Sequence, residues 1–224
     1  MSTSRYCVII PAFNAEKTIG TLVQQIRQQG LPIFVIDDGS SDHTAAVAAA
    51  SGALVVSHLR NQGKGCALRT GFEHALRGGY DGIVTLDGDG QHDPADIPQL
   101  IRIGEIQHAG IVLGNRLMDG ATMPSIRRRT NTFMSAIVSA VARQRIPDTQ
   151  CGFRLIRKEV LSSITLRSKR FEIETELLLR AAAKRWKIVS VPVRTIYNGH
   201  ASHIQPLRES VRFIGVILKH LVWP

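Results

Sequence analysis

Short apolar runs alternate with stretches of helical periodicity through residues 6–86, and each run ends in a polar turn or loop. Tyr6-Cys7-Val8-Ile9-Ile10, Ile33-Phe34-Val35-Ile36, Ala53-Leu54-Val55-Val56 and Gly82-Ile83-Val84-Thr85-Leu86 read as strands. Between them, Ile19, Leu22, Val23 and Ile26 recur at helical spacing with Asn14 as an N-cap, an alanine-rich helix covers about 43–51, and another runs from Gly65 to Leu76. Strands alternating with helices predict an α/β chain: a mostly parallel central sheet flanked by helices on both faces.

In such sheets ligands bind outside the carboxyl ends of the strands, so the turns there are where chemistry belongs. They read Pro11-Ala12-Phe13-Asn14, Asp37-Asp38-Gly39-Ser40, Asn61-Gln62-Gly63-Lys64-Gly65 and Asp87-Gly88-Asp89-Gly90-Gln91-His92. The last is the most specific. Two carboxylates one residue apart, left without a partner, repel each other. A hard divalent cation resolves this, since Mg²⁺ combines one or two carboxylates with substrate phosphate oxygens. The glycines, including the pair flanking Lys64, allow a ligand close to the backbone. A bare Asp-Gly turn is the alternative reading of the hexapeptide.

Beyond residue 110 the pattern changes. Ile111-Val112-Leu113 leads into Gly114-Asn115-Arg116, and Arg127-Arg128-Arg129 opens a helix reaching about Arg143. Asp148 to Arg154 reads as a polar loop, Glu172 to Arg185 as a helix, and Ile188 to Ile196 as a strand. Cations at a helix start oppose its dipole, which favours an anionic partner for the arginine cluster. The net charge of +10 points the same way. His92 reads as a structural hydrogen-bonding residue, Cys151 as inert, and Glu176 as a complement to its helix dipole. Three scattered cysteines suggest reduced thiols rather than a disulfide framework.

Six ordered motifs carry a resemblance to a known family: Val8-Ile9-Ile10-Pro11-Ala12-Phe13-Asn14, Val35 to Thr44, Asn61 to Gly65, Asp87 to His92, Gly114-Asn115-Arg116, and Asp148 to Arg154. Over about residues 6–210 the chain resembles inverting family 2 glycosyltransferases of the GT-A fold (nucleotide-diphospho-sugar transferases), and among them dolichyl-phosphate mannose synthase and polyprenyl-phosphate glycosyltransferases. The resemblance implies a donor site for a UDP- or GDP-hexose built from Pro11, Phe13, Glu16, Asp38, Lys64, Asp87, Gly88 and Asp89. It implies Mg²⁺ or Mn²⁺ held by Asp87, Asp89 and Gln91. Arg116, Arg127, Asn131 and Arg154 would face the acceptor phosphate, with Arg128 or Arg129 as substitutes for Arg127. Asp87, Asp89 and Arg116 would be catalytic. Relatives place a serine where this chain has Asn131, and an acidic residue where it has Ala15, one position before Glu16.

A phosphate acceptor is anionic and needs positioning more than deprotonation, which suits arginine. A sugar-hydroxyl acceptor of a glycan or lipid-linked substrate would need a carboxylate base, with Asp148, Glu172 and Glu174 as candidates. Other classes fit less well. The turn after the first strand lacks a G-x-G-x-x-G, and Lys64 is not followed by Ser or Thr as a P-loop requires. No nucleic-acid motif accompanies the basic charge, so nucleic acid is not the expected partner. No apolar run approaches the ~20 residues that span a bilayer, and no signal peptide opens the chain. The expectation is one domain over residues 1–206 and an amphipathic helix over 207–224 that packs on the core or docks on a membrane. The enzyme would then work peripherally at the cytoplasmic face of the membrane, on a polyprenyl phosphate, with or without a membrane-protein partner.

Overall fold

A computed structural model describes residues 5–118, 125–196, 213 and 215–218. Seven strands form a single sheet: β1 (Tyr6–Ala12), β2 (Ile33–Asp37), β3 (Leu54–Ser57), β4 (Gly82–Thr85), β5 (Ile111–Asn115), β6 (Arg154–Arg157) and β7 (Ile188–Pro192). Their spatial order is β3-β2-β1-β4-β6-β5-β7. β1 to β4 pair in parallel, as does β5 with β7, while β6 runs antiparallel between β4 and β5. The expected mostly parallel sheet is therefore present, with one reversed strand inside it.

Helices α1 (Glu16–Arg27), α2 (Thr44–Ala50), α3 (Lys64–Arg77), α4 (Ile97–Ile106), α5 (Ser125–Ala142), α6 (Lys158–Ser163) and α7 (Ile173–Ala183) cover both faces. Successive strand residues point to opposite sides, and the two cores divide accordingly. Val8 and Ile10 join Ile19, Leu22, Val23, Ile26, Ile97 and Leu100 beneath α1 and α4. Cys7 and Ile9 join Ala67, Leu68, Phe72, Val138, Leu177 and Leu178 beneath α3, α5 and α7. Of the tail expected to be an amphipathic helix, only Phe213 and residues 215–218 are described. They are helical, and Phe213 and Ile217 are buried in that second core.

Three elements escaped the sequence reading: α4, β6 and α6. In β6 the run Arg-Leu-Ile-Arg is short, charged at both ends and lacks a long apolar stretch, yet its first three residues are buried. The N-cap of α1 also needs correction. It is Ala15, not Asn14. Asn14 adopts φ 52°, a left-handed conformation that Asn tolerates, and its side-chain oxygen accepts from the Ser41 amide at 2.9 Å. The first amides of α1 are satisfied from the next loop instead: Ala15 N–H donates to Thr44 Oγ1 (2.7 Å) and Glu16 N–H to Asp42 Oδ2 (3.2 Å). Thus Asp42 and Thr44 brace the turn after β1 against the turn after β2.

Candidate active site

The turns after β1, β2, β4 and β5 gather at one end of the sheet beside the N-terminus of α3. Phe13, just past β1, is 49% exposed although aromatic. Pro11 is half-buried. Glu16 turns toward the neighbouring loop, where its Oε2 accepts from the His43 amide at 3.1 Å. Asp38, expected to line the donor pocket, is 3% exposed and fully engaged. Its oxygens accept from the amides of Gln62 (2.9 Å) and Gly63 (2.7 Å), and Oδ1 lies 2.7 Å from His58 Nδ1. The correction follows: Asp38 shapes the loop that launches α3 and does not present an open carboxylate.

That loop delivers Lys64, whose ammonium bridges two carboxylates. Nζ lies 2.5 Å from Asp87 Oδ1 and 2.7 Å from Glu174 Oε1. Desolvation alone would lower the Lys64 pKa, but the charges of Asp87 and Glu174 reverse that and hold it above the usual lysine range. Burial likewise opposes ionisation of Asp87, yet Lys64 and then His92 overcome it, and the carboxyl is held well below the ordinary range. The glycines around Lys64 also need reinterpretation. A Cβ on Gly63 would meet Lys169 O at 2.5 Å, and one on Gly65 would meet Ser168 O at 2.6 Å. The close approach they permit is that of the protein's own 168–170 segment, not of a ligand. Gly152 plays the same part for Asp87, whose carboxylate oxygens lie 2.7 Å from where its Cβ would stand.

Asp89 is different from Asp87. It is exposed, its Oδ1 accepts from the Gln91 amide at 3.0 Å, and among the described residues no cationic side chain pairs with it. Desolvation and then the charge of Asp87 raise its pKa, so a cation placed here would relieve a repulsion built into the fold. Gly88 O accepts from Thr18 Oγ1 at 2.5 Å, and Gln91 O accepts from the Ile196 amide at 2.9 Å, which fixes the turn from both ends. His92 is 3% exposed and packs on Phe153, its Nε2 3.8 Å from Asp87. Among the described residues no three His, Cys, Asp or Glu side chains form a cage. Asp89 is open to an ion while Asp87 shares its oxygens with Lys64 and His92; one or two carboxylates completed by phosphate oxygens is the donor set that suits Mg²⁺.

Arg116 follows β5 and is gripped by Asp148. Nε and Nη2 donate to its two oxygens at 2.8 and 3.0 Å, and the Arg116 amide donates to Oδ2 at 3.1 Å. The Asp148 side chain is completely buried, while that of Arg116 is 16% exposed. Arg154 does not join Arg116. It is 1% exposed, and its guanidinium donates to the carbonyls of Cys151 (2.8 Å), Glu174 (2.8 Å) and Thr149 (2.9 Å). The expectation that it meets an acceptor does not hold, because the side chain is buried, three of its N–H groups donate to backbone carbonyls, and its Nη2 lies 4.0 Å from Glu174 Oε2. Asn131 is half-buried on α5, Arg128 and Arg129 are exposed there, and the side chain of Arg127 lies outside the described residues. Cys151 is buried, and burial pushes its thiol up to about 12. Glu176 does more than complement a dipole: it accepts from the amides of Arg167 and Ser168 and from Arg180 Nε.

Sequence reasoning missed the partnerships rather than the residues. Asp148 and Glu174 were noticed only as candidate bases. No local signal links them to Arg116 and Lys64, 32 and 110 positions away.

The family described as "Glycosyl transferase family 2" matches residues 7–165. A UDP-N-acetylglucosamine–dolichyl-phosphate N-acetylglucosaminyltransferase of Methanococcus voltae is 30% identical over 217 residues, covering 87% of this chain and 86% of that one. A polyprenol monophosphomannose synthase of Mycolicibacterium smegmatis is 30% identical over 209 residues, covering 85% and 77%. Among solved structures, glucosyl-3-phosphoglycerate synthase of Mycobacterium tuberculosis, in complex with Mn²⁺, UDP and glucosyl-3-phosphoglycerate, superposes with a TM-score of 0.74 at 24% identity. The match covers 99% of this chain and 81% of that one, and at that identity it speaks for the fold.

Proposed function

The chain belongs to glycosyl transferase family 2, and on that premise we propose that it is an inverting transferase moving a hexose from a nucleoside diphosphate to a polyprenyl phosphate at the cytoplasmic face of a membrane. The observation that carries the choice of acceptor is the state of the carboxylates. A sugar-hydroxyl acceptor needs a base. Asp148 is buried in a two-pronged pair with Arg116 and Glu174 is spent on Lys64, so neither is free to serve; Glu172 accepts from the Arg170 amide through Oε1 at 3.4 Å and keeps a buried Oε2 without a hydrogen-bond partner among the described residues. A phosphate acceptor needs no base, and it needs a rigid cation. Arg116, held by Asp148 and partly exposed, is that cation. The two relatives described above, named for dolichyl phosphate and polyprenol, point to the same acceptor class.

In this reading Phe13 offers its exposed ring to the nucleotide base and Pro11 flanks it. Asp89, with Asp87 and Gln91, would hold Mg²⁺ or Mn²⁺; the structural neighbour is itself crystallised with Mn²⁺ and UDP. The ion, when bound, neutralises charge developing on the leaving diphosphate. Lys64, bridging Asp87 and Glu174, would fix the Asp87 carboxylate in place beside the same diphosphate. Arg116 holds the attacking phosphate oxygen in line with the anomeric carbon, on the face opposite the leaving group, so the configuration inverts.

Isothermal titration with UDP, GDP and their sugar conjugates, with Mn²⁺ and then with EDTA, tests the donor half. Metal-dependent binding of one nucleotide is expected; binding of none overturns it. Transfer to a short, water-soluble prenyl phosphate tests the acceptor half, and transfer only to the corresponding free alcohol would overturn it.

A further inference from the structure

The tail was expected to pack on the core or dock on a membrane; of its described apolar residues, Phe213 and Ile217 are buried in the core, Val216 packs against it, and Leu218 is 57% exposed. Another element, described along its whole backbone, presents an exposed apolar stripe of its own. α5 runs from Ser125 to Ala142. Its inner side, Ser135, Val138 and Ala142, is buried. Its outer side carries Arg129, Phe133, Ala136, Ala140 and, just beyond the helix, Arg143, all exposed. Their spacing of three and four residues aligns them in one stripe along the helix. Phe133 is 68% exposed, the largest aromatic exposure in the described chain. Arg128, Thr132 and Arg145 are exposed as well.

The charge of this element is one-sided. From Ser125 to Pro147 the sequence holds Arg127, Arg128, Arg129, Arg143 and Arg145, and no aspartate, glutamate or lysine. Three of those arginines crowd the helix N-terminus, where the dipole disfavours them. A solvated helix gains nothing from that arrangement, whereas an anionic surface does. Nucleic acid is also anionic, but the centre of the stripe is Phe133, Ala136 and Ala140, apolar side chains with basic groups at both ends. That is the pattern of an interfacial helix, whose apolar strip enters the boundary between headgroups and acyl chains.

The inner side of α5 connects this surface to the site. Ser135 Oγ accepts from the Thr149 amide at 2.9 Å, and Ser139 Oγ accepts from the Ile146 amide at 3.0 Å. These bonds hold the segment containing Asp148, which grips Arg116. We propose that the outer stripe of α5, centred on Phe133, docks the enzyme on an anionic lipid bilayer and so sets the depth at which Arg116 meets the acceptor phosphate. The second clause rests on the polyprenyl-phosphate reading; the first does not.

The test is co-sedimentation of the full chain with vesicles of phosphatidylcholine alone or mixed with phosphatidylglycerol, with a single-stranded RNA as competitor. Wild type is expected to bind the mixed vesicles, to bind pure phosphatidylcholine weakly, and to dissociate in high salt. Phe133→Ser and, separately, Ala136→Glu should weaken that binding about tenfold or more, and Arg143→Glu by at least roughly fivefold. All three positions are exposed, so melting temperature, nucleotide binding and transfer to a soluble prenyl phosphate should match wild type. Undiminished vesicle binding by both Phe133→Ser and Ala136→Glu overturns the proposal, as does RNA displacing the vesicles. Absence of transfer to the soluble acceptor by wild type would strike the acceptor reading instead and leave the vesicle result standing.

Discussion

Replacing Lys64 with methionine keeps the unbranched apolar stem, one atom shorter, and removes the charge, leaving two carboxylates facing each other across the gap the ammonium filled. The side chains of Lys64, Asp87 and Glu174 are 13, 28 and 9% exposed, so water screens them little. Removing one partner of a buried pair costs about 3–5 kcal/mol. Asp87 retains some access to solvent, so the lower end, about 3 kcal/mol, is expected. For a chain of this size that is roughly 6–12 °C in Tm. The deficit should depend on pH. In the wild type, Asp87 is held below its unfolded value, so its contribution is complete above the ordinary carboxylate range and is lost as pH falls through the folded value. Without Lys64, burial pushes the Asp87 carboxyl upward, so the variant is weakest at neutral pH and closes the gap on acidification. Urea unfolding at pH 7.5 and pH 5, followed by tryptophan fluorescence, measures this. Glu174→Gln alone should also destabilise, whereas adding it to Lys64→Met should recover about 1–2 kcal/mol by removing one stranded charge. Equal midpoints for Lys64→Met and wild type, or strictly additive losses in the double variant, would refute the bridging role.

Asp89→Asn should abolish Mn²⁺-dependent nucleotide binding, read by calorimetry, with Tm at or slightly above wild type because a carboxyl under repulsion has been neutralised. Asp148→Asn should loosen Arg116 and raise the KM for a prenyl phosphate tenfold or more while nucleotide affinity changes less; equal losses would show that Arg116 serves the donor. Arg154→Met should lower stability by about 3 kcal/mol, since it strands three buried carbonyls, yet leave acceptor KM unchanged in the folded protein. A raised KM would return Arg154 to the acceptor site. Chelation by EDTA should stop transfer, and Mn²⁺ should stabilise the protein more at pH 7.5 than at pH 5, because protonation of Asp89 competes with the ion.

The β–α alternation, the turns at the strand ends and the Asp87-Gly88-Asp89 signature were legible directly in the chain, because strand and helix periodicities and turn chemistry are local properties. β6 was not legible. Its first three residues are buried by being threaded between β4 and β5, a condition set by neighbours far along the chain. The same division runs through the site. Sequence alone marked Asp87, Asp89, Lys64, Arg116, Asp148 and Glu174 as chemically capable residues. Only the tertiary structure decided that Glu174 holds Lys64 against Asp87, that Asp148 orients Arg116, and that Arg154, so suited to a phosphate, is instead sealed among carbonyls. A side chain's identity determines which charges and hydrogen bonds it can offer. Which of them remain for a ligand depends on partners that folding brings from tens to a hundred residues away.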